Sequence, residues 1–329
     1  MKAVRNYGIR DVRFEDIEKV VPKPEEALIK VDYAGICGSD LHIYREGMFV
    51  EDLPETMGHE FVGHIVSAPD GSGFKAGDAV TGDPRIVCGK CRACRDGAYP
   101  RCENLAFIGE ARPGCFAEYV ALEPEKLILL KEPKDLKQAA LIEPLAVAVH
   151  ACKRMDAAEM EKALIVGGGP IGLLIAAVLN EVYHLKSVAV ADIDEYRQGV
   201  ARAAGLAEVG PDLTVYAPEA DIIVDAAGSG RALNLMIQHA KHGSRLYISA
   251  IYEKLPVVDL NAAVSKEMKL IGSNNYDRED LEEAARLITE AGMDLSWIIS
   301  SVLFPEQAAE GFERLAGAVK KDMKILFRF

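Results

Sequence analysis

Cys88, Cys91, Cys94 and Cys102 stand in the run C-x2-C-x2-C-x7-C, and no other feature of the 329-residue chain limits its folding so tightly. Four thiolates this close in sequence can close a tetrahedral shell around one zinc ion, the arrangement of a structural site with no open position. Cys91 and Cys94 alone could form a redox pair, and the four could form two disulfides. Nothing in the sequence points to an oxidising compartment, however, and intracellular chains rarely keep disulfides. The surrounding segment 84–104 carries Pro84, Gly89, Gly97 and Pro100 with little apolar periodicity, so it needs a staple. Structural zinc is therefore the expectation, holding a lobe together and performing no chemistry.

A chain of this length exceeds what one hydrophobic core usually serves, so two domains are expected. Hydrophobic residues make up 50% and charged residues 27%, the profile of an ordinary globular protein. The formal net charge of −13 opposes binding to a phosphate backbone. The densest basic run, Arg92 to Arg101, sits inside the cysteine loop as a solvated surface. The N-terminal MKAVRNYGIRDVRFED lacks the apolar stretch of a secretory signal, and Pro170–Leu179 is too short to span a bilayer. Seven cysteines without an export signal read as a cytoplasmic protein, with neither nucleic acid nor membrane as partner.

From Lys2 to about Tyr119 the pattern is of short strands broken by glycine and proline, among them 27–33, 61–67 and 78–81. Beyond Leu145 short apolar strands (163–167, 187–192, 221–226, 245–250, 268–272) alternate with helical stretches (171–179, 195–204, around 232–239). That alternation implies an α/β domain with a parallel sheet covered on both faces. The tail, with a helix over 278–291, strands near 301–304 and 324–329 and a helix between them, has no place in that sheet. It is expected to return to the first lobe, giving domains of 1–144 with 275–329 and of 145–274.

GGGPIG at 167–172 reads as G-x-G-x-x-G between a strand and a helix. Gly167 permits the tight turn, Gly169 lets the backbone approach a pyrophosphate and Gly172 allows close helix–strand packing. Pro170 and Ile171 open the helix, whose free N–H groups and dipole favour phosphate. Alone the motif is weak. Its second half is Asp192, 20 residues after Gly172 at the end of the next strand. A carboxylate there binds both ribose hydroxyls and repels a 2′-phosphate, which favours NAD over NADP. The competing reading is that Asp192 starts a turn or caps the next helix; Arg197 either covers the adenine or is a solvated helix residue.

Cys37 lies in GICGSDLH, and His59 with Glu60 in GHE. A thiolate, an imidazole and a carboxylate suit zinc, and three protein ligands leave a fourth position open for catalysis. Taken singly, each has a bland explanation as a buried thiol or a satisfied polar group. In the order CGSD-x-H, GHE, four-cysteine loop and GGGPIG, the chain resembles the zinc-dependent medium-chain alcohol dehydrogenase family along essentially its whole length. The resemblance implies a GroES-like β-rich catalytic domain, a doubly wound Rossmann domain that binds NAD, and an active site between them. It implies that Cys37 and His59 hold a catalytic zinc and the four cysteines a structural one. For the third catalytic ligand both Glu60 and Glu143 are candidates, with Glu60 in direct contact in the resting enzyme and Glu143 acting through water. The competing reading of Glu143 is a cap on a helix beginning at Pro144.

Zinc lowers the pKa of bound water from near 16 to roughly 7 and does the same for an alcohol, which then yields hydride to nicotinamide. Ser39 is placed to take the alcohol proton, and by resemblance it passes through the cofactor ribose to His42, which releases it to solvent. Asp40 is expected to orient His59; a plain turn is the alternative for Ser39 and Asp40. The implied reaction turns a secondary alcohol (a polyol, a diol or a 3-hydroxy amino acid) into a ketone.

The substrate stays open. Polyol dehydrogenases usually carry an aromatic where this chain has Ile43, and an arginine where it has Asn275 before Tyr276. The HIY run and 113–119 are similar to threonine dehydrogenases, which also usually carry that arginine; 2,3-butanediol fits no worse. Phe107 and Glu110 are assigned to the pocket by resemblance. Two readings of other classes compete: a lyase-type enzyme with bound NAD, and a non-catalytic binding protein, which would have eroded ligands. The apolar strand 268–272 at a sheet edge implies a homodimer or homotetramer. Cys115 and Cys152 have no assigned role, Trp297 reads as packing, and His64 and His150 as satisfied core histidines.

Overall fold

A computed structural model describes residues 1–50, 52–131, 133–206 and 208–329. The chain divides into two compact units, Met1–Glu143 with Asp277–Phe329, and Pro144–Tyr276.

The first unit is built on a mixed sheet whose strands run in the order Leu127–Leu129, Ala79–Gly82, Glu60–Ser67, Ala27–Gly35, Lys324–Arg328 and Ile299–Leu303. Tyr119–Leu122 also pairs with Ala27–Gly35. The tail thus re-enters this sheet: Leu326, Phe327 and Arg328 lie opposite Gly35, Ala34 and Tyr33 in antiparallel register. Buried side chains such as Ile29, Val31, Phe61, Phe116, Phe312 and Phe327 form its core, with the Phe116 ring edge-on to Phe327 at 5.2 Å. Each fully buried aromatic of this kind contributes about 1.5–3 kcal/mol through lost contact with water.

Besides a four-residue helix at Arg92–Arg95, a helix over Gly38–Glu46 escapes the strand-and-turn reading of 2–119. It forms because Asp40 Oδ2 accepts the Cys37 N–H at 2.8 Å, capping the first turn, while Gly47 closes the last turn at φ 67°.

The second unit carries six parallel strands, β1 (Lys162–Val166), β2 (Ser187–Ala191), β3 (Glu208–Gly210), β4 (Ile222–Asp225), β5 (Arg245–Ile248) and β6 (Lys269–Gly272). Their order in the sheet is β3-β2-β1-β4-β5-β6, the doubly wound arrangement whose strand order reverses between β1 and β4. The central strands are apolar without alternation because helices cover both faces. The helix Pro170–Glu181 is buried from Gly172 to Leu179. The helix Glu195–Ala203 starts at Asp194, whose carboxylate accepts the Arg197 N–H at 3.0 Å. Among the described residues no helix is long and apolar enough to cross a membrane.

Candidate metal centres and dinucleotide loop

The ligand atoms of Cys88, Cys91, Cys94 and Cys102 all lie within 4.8 Å of one another, and every cysteine of the chain is a free thiol. Backbone amides point at the sulfurs: Cys94 N–H donates to Cys91 Sγ at 3.4 Å and Cys88 N–H to Cys102 Sγ at 3.3 Å. The amides of Lys90 and Cys91 draw the Cys88 thiol down to about 6, while burial pushes Cys94 up to about 12. Four sulfurs this close cannot all be thiolates without a cation, so the donor set fits a tetrahedral zinc.

The second cluster is assembled by strand register. Gly35 lies opposite Glu60, which brings Cys37, two residues past the end of Ala27–Gly35, beside His59 and Glu60. The donor atoms of these three residues lie within 4.8 Å of one another. Gly58, the glycine of GHE, sits at φ 90°, and a Cβ there would collide with the Phe116 ring. Only glycine delivers His59 and Glu60 to this position, for reasons of both backbone and packing.

Burial disfavours a charged His59, yet Cys37, Asp40 and Glu143 outweigh it and hold the imidazole pKa well above its ordinary value. His59 Nδ1 is buried with no hydrogen-bond partner. An unused ring nitrogen among a thiol and carboxylates is what a cation would satisfy, so this donor set also fits zinc. Glu143 is buried and close enough to act on His59 electrostatically, but it is not part of the mutually close set. It lies in the first turn of a helix that starts at Ile142, two residues before Pro144.

Asp40 reaches the cluster differently from expectation. Its Oδ2 takes the Cys37 amide, and it supports positive charge on His59 without a hydrogen bond to the ring. Ser39 and His42, both half-buried, are three residues apart on the same helix, so they share one face.

In the second unit Gly167 turns the chain at φ 104°, where a Cβ would meet the Ala226–Ala227 backbone at 2.7 Å. The loops after β1 and β4 therefore touch at the switch point. Gly169 is the N-cap of the helix opened by Pro170 and Ile171, and a Cβ on it would meet nothing within 4 Å. At Gly172 a Cβ would run into the Gly167 carbonyl. Asp192 follows β2; its carboxylate accepts the N–H groups of Gly168 (2.7 Å) and Asp194 (2.8 Å), with Arg197 Nη1 at 3.4 Å. It therefore joins the glycine loop to the end of β2, and Asp194, not Asp192, caps the next helix. The open space at Gly169 and the acid beside the loop fit a dinucleotide.

Residues 23–132 match the alcohol dehydrogenase GroES-like domain. The chain is 35% identical to 2-dehydro-3-deoxy-L-galactonate 5-dehydrogenase of Pseudoalteromonas atlantica, over 92% of this chain and 91% of that protein. It is 32% identical to L-threonine 3-dehydrogenase of Idiomarina loihiensis, over 91% and 92%. The solved structure of 2R,3R-butanediol dehydrogenase from Bacillus subtilis superposes with a TM-score of 0.89 at 30% identity, covering 100% of this chain and 99% of that one. This chain belongs to the zinc-dependent medium-chain alcohol dehydrogenase family.

It is thus an NAD-dependent, zinc-containing dehydrogenase that oxidises a secondary alcohol, with zinc and NAD as its cofactors. The relatives named here are dehydrogenases, and none supports the lyase-type or non-catalytic alternatives.

Sequence reasoning missed Lys324 in this dehydrogenase. Its side chain is only 2% exposed; Nζ donates to the Ile36 carbonyl at 2.9 Å and to Glu60 Oε1 at 2.7 Å, and pairs with Oε2 as well. Burial works against its charge, but Glu60, Cys37 and Glu143 raise its pKa above the ordinary value. A Cβ on Gly35 would collide with Glu60 Oε2 and lie 3.2 Å from Lys324 Cε, so that glycine makes room for the pair. The only sequence signal was a lysine opening the apolar run KILF.

Cys115 Sγ donates to the Glu60 carbonyl at 3.6 Å, and Cys152 is buried in the second unit. His64 pairs with Asp32 at 2.5 Å and is not a core histidine, since its side chain is 38% exposed; His150 is buried. Trp297 Nε1 donates to the Asp294 carbonyl at 2.9 Å.

Proposed function

We propose that the enzyme oxidises a small polyol, diol or 3-hydroxy amino acid at a site formed by Cys37, His59 and a carboxylate, with Ser39 and His42 moving the proton. The observation that carries this reading is the thiol–imidazole–carboxylate set within 4.8 Å, carried on the same lobe as a separate four-sulfur cluster. The overall conversion is secondary alcohol plus NAD⁺ to ketone, NADH and a proton. When bound, zinc acidifies the alcohol hydroxyl and NAD takes the hydride from its carbinol carbon.

The chain's own groups do the rest. Cys37 and His59 would hold the metal, with Glu60 as the preferred third ligand and Glu143 acting through water. Lys324 competes for Glu60, because one carboxylate must serve both the ammonium and the metal. Ser39 Oγ accepts the alcohol proton, and His42, one turn along the helix, delivers it to solvent. Asp40 fixes the Cys37 amide and favours the charged form of His59. Gly167 and Gly172 let the loop pack tightly while Gly169 leaves room for the pyrophosphate at Pro170–Ile171, and Asp192, with Arg197 beside it, selects NAD through the ribose hydroxyls.

The free thiols accord with a cytoplasmic location. A second copy of the chain pairs along β6: this edge strand exposes Leu270, and Leu260 and Val264 of the neighbouring helix are 59% and 75% exposed. Sedimentation as a monomer at micromolar concentration would sink the pairing.

The reading is tested by following NADH at 340 nm with zinc-loaded protein across threonine, 2,3-butanediol, polyols, polyol phosphates and simple secondary alcohols. One substrate class is expected to dominate, with turnover falling by about 10³-fold or more in Cys37→Ala. Equal turnover in Cys37→Ala would remove the metal role assigned to this cluster.

A further inference from the structure

Glu110 stands on a turn packed against the Cys37–His59–Glu60 cluster. Its loop is pinned to the GHE triplet: a Cβ on Gly109 would meet the Gly58 backbone N and O at 2.7 Å, and Cys115 N–H donates to the Gly58 carbonyl at 2.9 Å. The Phe107 ring lies 5.8 Å from that of His59, and the Phe107 carbonyl accepts the Glu110 N–H at 3.3 Å. The turn thus holds Glu110 half-buried, where the charges it meets are those of His59 and Asp40. Burial pushes its carboxyl up to about 7, and among the described residues no hydrogen bond or ion pair relieves it. The cation of its own loop, Arg112, is engaged by Glu26 at 3.3 Å and Glu123 at 3.6 Å.

We propose that Glu110 determines substrate specificity by accepting a hydrogen bond from a donor, hydroxyl or ammonium, on the carbon next to the substrate's carbinol. The inference rests on the dehydrogenase reading above. Glu110 is outside the mutually close donor set, so its role is assigned to the group neighbouring the carbinol and not to the metal. A desolvated acceptor without a protein partner discriminates strongly between ligands that satisfy it and ligands that leave it unpaired. A carboxylate on the same carbon offers no donor and would face a like charge whenever Glu110 is ionised, so 2-hydroxy acids are disfavoured.

Four probes separate the cases: 2,3-butanediol (hydroxyl), L-threonine (ammonium), 2-butanol (no donor) and lactate (carboxylate). The wild type should prefer a donor-bearing probe over 2-butanol by at least about 100-fold in kcat/KM, and Glu110→Ala should shrink that ratio by tenfold or more. Glu110→Gln, which keeps a neutral acceptor, should retain most of the ratio if the donor is a hydroxyl and lose it if the donor is an ammonium. A second readout needs no turnover: with NADH present, the preferred probe should raise the Tm of the wild type more than that of Glu110→Ala. Zinc content and circular dichroism establish that both variants fold. Equal losses on all probes, or a wild-type preference for 2-butanol or lactate, would overturn the role of Glu110 and leave the dehydrogenase reading intact. No NADH from any secondary alcohol would sink that reading and this inference with it.

Discussion

The four-cysteine cluster draws all its donors from one segment, 88–102, whereas the Cys37 cluster is gathered from separated parts of the chain and closed by Lys324, 264 residues from Glu60. The first is chemically uniform, and its own loop amides already bond its sulfurs. The second mixes a thiol, an imidazole and a carboxylate, leaves a ring nitrogen unsatisfied and shares its carboxylate with an ammonium. A uniform closed set is suited to holding a metal, and a mixed, contested set to exchanging what the metal binds. The difference also separates two kinds of stability. One cluster is expected to need a metal to order its loop, and the other needs a folded sheet to exist at all.

The largest expected effect is on the local cluster. In Cys102→Ser the loop loses a metal-linked folding free energy on the order of 10 kcal/mol. One zinc per chain should disappear by elemental analysis and segment 84–104 should become protease-sensitive, while NAD reduction falls far less than stability. Loss of both zincs together would break the distinction between the two clusters.

Lys324→Met sharpens it from the other side. Without the ammonium, Glu60 is a buried carboxylate missing its partner, which costs about 3–5 kcal/mol in zinc-free protein. Zinc offers Glu60 a second cation, so the drop in Tm should be clearly smaller once the metal is loaded. The same drop with and without zinc would mean that Lys324 only packs.

Much of the fold was legible because its signals are local. The apolar runs of β1, β2 and β4, the glycine loop and the tail's lack of a place in a parallel sheet are all read within short windows, and the strands sit within a residue or two of where the pattern put them. The helix Gly38–Glu46 was not legible, because its cap is made by Cys37 and Asp40, residues whose chemistry pointed to a metal. Asp40 illustrates the limit: it was expected to orient His59, but its carboxylate takes the Cys37 amide, which spacing did not foretell.

By itself the sequence determined which donors exist and which of them are neighbours: four sulfurs in one loop, His59 beside Glu60, three glycines before a helix and an acid after the next strand. These follow from spacing, because residues a few positions apart cannot lie far apart. Only the tertiary structure decided which donors meet across the sheet. The register of Gly35 opposite Glu60, the ring of Phe116 against Gly58 and the return of Lys324 on the last strand bring Cys37, Glu60 and an ammonium together. Those contacts are long-range; they arise when one buried core packs, and spacing along the chain carries no record of them.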